Sequence, residues 1–225
     1  MRNVRILAAL GLLATAAAAQ ADVSATATIV SDYDFRGFTQ TNNDPTLQLS
    51  IDYAHDSGWY IGTWGSGVDF GPGKPTTEVD VYTGYANSIG DFGYDFGINY
   101  YGYPGASDLN FAEIYAKLSY KIVSAGVYYS DDFGGSDESA FYIYGDVSIP
   151  AGPLSIDLHA GLSDGDGVVA TYGFEFEDSY TDYAIGLSYS ANNFTVGLTW
   201  IALDAGDDGS DDRVVLSFST SFPWE

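Results

Sequence analysis

Thr46-Leu47-Gln48-Leu49-Ser50-Ile51-Asp52-Tyr53-Ala54-His55-Asp56-Ser57-Gly58-Trp59 decides the fold. Leu47, Leu49, Ile51 and Tyr53 alternate with Gln48, Ser50, Asp52 and Ala54. Successive strand side chains point to opposite faces, so this is a strand with one apolar and one polar face. His55-Asp56-Ser57-Gly58 is a tight turn by composition, and Trp59 opens the next run.

Working outward, the same alternation recurs. Val79, Val81, Thr83 and Tyr85 oppose Asp80, Tyr82 and Gly84, and Phe92, Tyr94, Phe96, Ile98 and Tyr100 oppose Gly93, Asp95, Gly97 and Asn99. Leu154, Ile156, Leu158 and Ala160 oppose Ser155, Asp157, His159 and Gly161. Phe194, Val196, Leu198 and Trp200 oppose Thr195, Gly197 and Thr199, and Val214, Leu216, Phe218 and Phe222 oppose Arg213, Ser217, Ser219 and Ser221. Six less regular runs bring the strand count to twelve. Val168 to Glu177, inside the longest gap, alternates too; it reads as an ordered outer loop, with a folded lid, an extended strand or a 14-strand count as alternatives.

The gaps alternate short with long. The short ones hold Gly, Pro, Asn and Asp, while the long ones include Asp32 to Pro45 and Ser163 to Asp182. An even strand number, short inner turns, long outer loops and both chain ends inside describe a bacterial outer-membrane barrel. Tyr53, Trp59, Tyr85, Phe92, Tyr120, Tyr189, Phe194, Phe222 and Trp224 fall near the short-turn ends, where aromatic rings form an interfacial girdle. The predicted fold is therefore an all-β, transmembrane, up-and-down antiparallel barrel.

Arg2 and Arg5, the apolar run Ile6 to Ala19 and then Ala19-Gln20-Ala21 read as a secretory signal over residues 1–21, with the barrel over residues 22–225. That run is shorter than the roughly 20 residues a spanning helix needs. The chain has no Cys, which excludes disulfides and thiolate metal sites. Without Arg2 and Arg5, five basic residues face 31 acidic ones, a formal charge of −26. Such acidity excludes nucleic acid as a partner; the expected partners are outer-membrane lipids and lipopolysaccharide, with small hydrophilic solutes or cations.

Several stretches carry a family resemblance: Val30-Ser31-Asp32-Tyr33-Asp34-Phe35-Arg36-Gly37, Thr39-Gln40-Thr41, Asp52-Tyr53-Ala54-His55-Asp56-Ser57-Gly58, Gly62-Thr63-Trp64-Gly65-Ser66, Tyr103-Pro104-Gly105, Glu113-Ile114-Tyr115-Ala116 and Tyr180-Thr181-Asp182-Tyr183. In these the chain resembles the TorF family of porins, proteobacterial proteins first catalogued as conserved hypothetical. The resemblance implies an outer-membrane barrel and a porin, without naming a solute. The ending Phe222-Pro223-Trp224-Glu225 departs from the terminal aromatic of such barrels.

Twelve strands about 4.8 Å apart, tilted by about 40°, give a backbone diameter of roughly 24 Å and room for a channel on the order of 10 Å. The inner face carries Asp52, Glu78, Asp80, Asp95, Glu113, Asp146 and Asp157 against Lys117 and Arg213. These are the pore-lining candidates, and their imbalance favours cations. Many other inner residues are small, which leaves room for a pore; the alternative is a lumen plugged by paired charges. Arg36, beside Asp32 and Asp34, is either a contact at the pore mouth or, more plainly, an ion-paired arginine ordering the first loop. The acidic outer loops have the oxygen ligands for weak Ca²⁺ or Mg²⁺ binding but read better as solvated charge.

No catalytic residue, metal ligand or cofactor is assigned. The chain reads as a non-enzyme whose alternatives are a non-transporting surface barrel or a lipid hydrolase. Only His55 and His159 could serve a hydrolase, His55 lies in a short turn, and Gly65-Ser66-Gly67 is no nucleophile elbow.

Overall fold

A computed structural model describes residues 22–175 and 177–223. Residues 1–21, Phe176, Trp224 and Glu225 lie outside the described residues, and with them the expected signal segment and chain terminus. The strands are β1 (Asp22–Val30), β2 (Asp34–Phe35), β3 (Phe38–Thr39), β4 (Thr46–Ala54), β5 (Trp59–Gly67), β6 (Thr77–Ile89) and β7 (Phe92–Gly102). They continue as β8 (Phe111–Tyr120), β9 (Val123–Ser130), β10 (Ala140–Ala151), β11 (Leu154–Asp164), β12 (Ser179–Ala191), β13 (Phe194–Asp204) and β14 (Ser210–Phe222). All but β2 and β3 close one antiparallel barrel of twelve strands, each paired with its sequence neighbours, and β1 seals the circle by pairing with β14 as well as β4.

The expected faces are the observed ones. On β4, Leu47, Leu49 and Ile51 are 50%, 51% and 58% exposed while Ser50 between them is 7% exposed. Backbone hydrogen bonds are satisfied around a ring with no free edge, and the period-two pleat turns these apolar side chains to its outside. Four of the connections are two-residue hairpins, shown by the pairs Ile89↔Phe92, Tyr120↔Val123, Ala151↔Leu154 and Ala191↔Phe194. Each places one residue at positive φ, Gly90 and Gly152 among them, as the twist of tight hairpins demands. At this end Trp59 packs edge-on against Tyr85 with centroids 5.5 Å apart, and Phe194 stacks on Phe218 at 5.6 Å, within the expected girdle.

The segment after Gly165 is a short helix, α1 (Asp166–Tyr172), and adds no strand to the twelve. A closed barrel offers it no edge to pair with. Gly167 lets it sit tightly on the preceding loop, since a Cβ there would meet Glu138 O at 2.7 Å and Phe133 Cβ at 2.9 Å. Gly173 ends it in the left-handed conformation, donating to Val169 O.

Candidate functional site

The first long loop does not stay outside. β2 and β3 form a miniature hairpin whose two central residues, Arg36 and Gly37, both have positive φ (50° and 90°). This is the backbone a two-residue turn requires, and the Asp34 carboxylate supports it by accepting the Gly37 N–H at 3.3 Å. The tip is pressed to the barrel wall: a Cβ on Gly37 would lie 2.9 Å from Leu203 Cδ1 and 3.0 Å from Asp182 Cβ.

Two arginines hold it there. Arg36 donates to both oxygens of Glu113 on β8, at 2.9 and 2.6 Å, and Tyr101 OH donates to the same carboxylate at 2.8 Å. The Arg36 guanidinium also lies 4.4 Å from the Tyr142 ring centroid, 4.7 Å from Phe35 and 4.9 Å from Tyr128. Bidentate pairing with aromatic stacking is the geometry for which a guanidinium is suited. In the reverse sense, Arg213 on β14 reaches into the loop and donates to Asp32 at 2.6 Å, Gly37 O at 2.7 Å and Asp34. Arg36 is thus a buried, ion-paired arginine, and its partner is Glu113; the neighbouring Asp32 and Asp34 belong to Arg213. Burial pushes the Asp34 carboxyl up to about 7, against the opposing pull of Arg213.

Apolar packing completes the plug. Phe38 stacks on Tyr172 of α1 with centroids 4.0 Å apart, and Val168 and Phe133 are almost wholly buried beneath. The long-loop half of the lumen therefore holds a small hydrophobic core of its own, joined by Tyr101, Phe111, Tyr180 and Leu203 from the wall.

The remaining predicted residues lie on the inner wall in hydrogen-bonded sets. Asp52 accepts from Tyr82 OH and, at 3.0 Å, from Ser50. Tyr60 OH donates to Asp95 at 2.6 Å and meets Tyr115 OH, while Lys117 sits 4.6 Å from the Tyr115 ring centroid. Asp146 lies 2.6 Å from His159 Nδ1, and Asp157 accepts from Ser148 and Ser155 at 2.5 and 3.0 Å. Glu78 accepts from Tyr33 OH at 3.2 Å and Asp80 from Asn99 at 3.4 Å.

Of the inward tyrosines, the sequence alternation places Tyr82 alone, and none is among the predicted site residues. Their sign was in the register: Gly62↔Tyr82, Tyr60↔Gly84, Gly97↔Tyr115 and Gly126↔Tyr144 are cross-strand pairs. Each ring lies over its glycine; a Cβ on Gly62 would come 2.5 Å from the Tyr82 ring, and one on Gly84 would come 2.4 Å from Tyr60 OH. The expectation that small inner residues leave open space is corrected here, because neighbouring tyrosines take that space. The acidic outer loops use several carboxylates on their own backbone: Asp208 accepts the N–H groups of Glu175 and Glu177 at 2.9 and 2.8 Å. Among the described residues no three His, Cys, Asp or Glu side chains gather as a metal cluster.

This closed twelve-strand barrel, apolar outside and ionisable inside, has a porin-like fold. It is similar over 91% of its length, and over all of the other chain, to the NanC porin (16% identity, TM-score 0.56). A chain solved in a study of in-meso crystallization of membrane proteins aligns over 88% of this chain and 83% of its own (10% identity, TM-score 0.57). The chain belongs to the Gcw_chp family, bacterial proteins of unknown function, whose model matches residues 14–220. No curated protein matches the sequence.

Proposed function

We propose that this protein is an outer-membrane channel for small hydrophilic solutes, cation-preferring, with residues 1–21 removed as a secretory signal. The short turns would face the periplasm and the long loops the exterior. The observation that carries this reading is the pairing of a continuous apolar outer surface with an inner wall where Asp52, Asp95, Asp146 and Asp157 remain only partly covered. A soluble protein would not expose such a band, and a barrel without a polar pathway has no use for a partly exposed acidic wall. Field lines from these carboxylates favour cations. The TorF-family resemblance and the porin named among the similar structures support the same class.

Lipid hydrolysis is disfavoured by the surroundings of His159. Asp146 occupies one ring nitrogen, and Asp182 and Tyr142 flank the other at 2.8 Å, so neither is free to take a proton from a serine. A non-transporting barrel is the second reading, and the filled long-loop half favours it. Planar-bilayer recording of the refolded chain in a salt gradient separates them. Discrete steps with a cationic reversal potential are expected; an anionic reversal potential overturns the selectivity, and a folded but silent barrel overturns transport.

A further inference from the structure

We propose that Glu78, Asp80 and Asn99 form a binding site for a hard divalent cation, Ca²⁺ or Mg²⁺, in the wall of the barrel beside the plug. Glu78 and Asp80 are two residues apart on β6 and so share its inner face. They are 1% and 6% exposed. Among the described residues the lumen's cationic side chains are engaged elsewhere: Arg36 on Glu113, Arg213 on Asp32 and Asp34, His159 on Asp146 and Asp182, and Lys117 against Tyr115 and Tyr128. Two carboxylates are left side by side in a dry part of the barrel without a countercharge.

Their hydrogen bonds do not make up the deficit. Tyr33 OH reaches Glu78 Oε1, and the Asn99 amide N–H reaches Asp80 Oδ2 at a long 3.4 Å. Tyr103 and the Gly102 N–H approach the same pair of carboxylates. Glu78 Oε2, Asp80 Oδ1 and Asn99 Oδ1 nevertheless remain buried with no hydrogen-bond partner. Unpartnered buried oxygens are rare in native proteins, and an unpaired buried carboxylate costs several kcal/mol. Three buried oxygens that lack donors, on two carboxylates that repel one another and an amide bonded to one of them, are the complement of a metal ion rather than of a donor group. The all-oxygen set selects a hard cation, and the two negative charges select a divalent one. Because Tyr33 belongs to the plug, the ion would lie where plug and wall meet.

The test is Tb³⁺ titration of the refolded, lipopolysaccharide-free chain in detergent, reading luminescence sensitised through tyrosine and competing with Ca²⁺ and Mg²⁺. One saturable component displaced by Ca²⁺ or Mg²⁺ is expected. E78Q and D80N should each weaken it tenfold or more, whereas D131N with D137N, in an exposed loop, should leave it unchanged. Heat-modifiable gel mobility shows which variants have folded, and N99A, which removes only the amide, tests the site if either acid variant does not. Absence of a saturable signal, or a signal equal in the wild type and the folded site variants, overturns the proposal and leaves protons or water on these oxygens. The readout is binding, so a silent channel would not affect it.

Discussion

The two halves of this barrel are built on different physical terms. Toward the long loops the lumen is dry: Glu78, Glu113, Phe133, Val168, Tyr180 and Asp182 are all nearly inaccessible, and charges are held in place by paired arginines. Toward the short turns the inner wall is lined by partly exposed Ser119, Ser124, Ser148, Ser155, Thr195 and Ser219; Ser124 bonds Asp146, Ser148 bonds Ser155, and Thr195 bonds Ser190. The same strand pattern thus supports a plugged half and a wet vestibule. What separates them is one loop that folds inward and is over-determined by contacts from β6, β8, β12, β13 and β14. Any limit on passage lies in the plugged half.

Breaking the latch is the strongest challenge to that contrast. Arg36→Ala leaves Glu113 buried without its cation and should cost about 3–5 kcal/mol of stability. Urea unfolding checks the loss, and bilayer recording should show a severalfold larger conductance; unchanged values on both would remove the latch from the description. Pairing Arg36→Met with Glu113→Gln removes both charges and should recover most of the stability while leaving the pore open. Next in size, Gly97→Ala forces a Cβ to within 2.4 Å of Thr83 O and 2.7 Å of Tyr115 OH. We expect roughly 2–3 kcal/mol of destabilisation from this overpacking, read by the same unfolding midpoint. Tyr101→Phe deletes one hydrogen bond to the Glu113 carboxylate and should cost about 1.5 kcal/mol, with little change in conductance.

A smaller effect comes from pH. Asp34 titrates near 7 in the docked hairpin, raised by burial and by Asp182 and Asp32 and lowered by Arg213 and the Gly37 N–H, whereas an unfolded aspartate titrates near 4. The folded chain therefore holds a proton that the unfolded chain has lost between these values, and stability falls as pH rises through that window, levelling off above about 7. Asp34→Asn should flatten this slope in unfolding curves recorded from pH 4 to 8. Smallest of all, Ser155→Ala in the vestibule should change stability by no more than about 0.5 kcal/mol and leave conductance unaltered.

Strand number, faces and hairpin positions were legible because a barrel repeats a period-two rule that every residue obeys locally, as Leu47 to Tyr53 shows. The segment after Gly165 escaped a firm reading for the same reason: Val168, Ala170, Tyr172 and Phe174 alternate, yet spacing alone does not say whether a free edge exists for a strand to join. Asp52, Glu78, Asp80, Asp95, Glu113, Lys117, Asp146, Asp157 and Arg213 lie on the face opposite the exposed apolar residues of their strands. Their partners were not legible. Arg36 and Glu113 are 77 residues apart and Arg213 and Asp32 are 181 apart, so only the closed ring brings them together. The glycine–tyrosine pairs were hidden for the same reason: each joins two strands separated by a long loop, whose length does not fix the register between them.

Arg213 also bears on how the molecule is made. It stands on the last strand, and the loop it grips directly follows the first. During biogenesis that grip cannot form until the carboxy-terminal strand has been delivered and the seam between β1 and β14 zipped. The contacts to Glu78 and Glu113 do not depend on the last strand, so it is the stopper's final fastening to the wall that awaits closure of the ring.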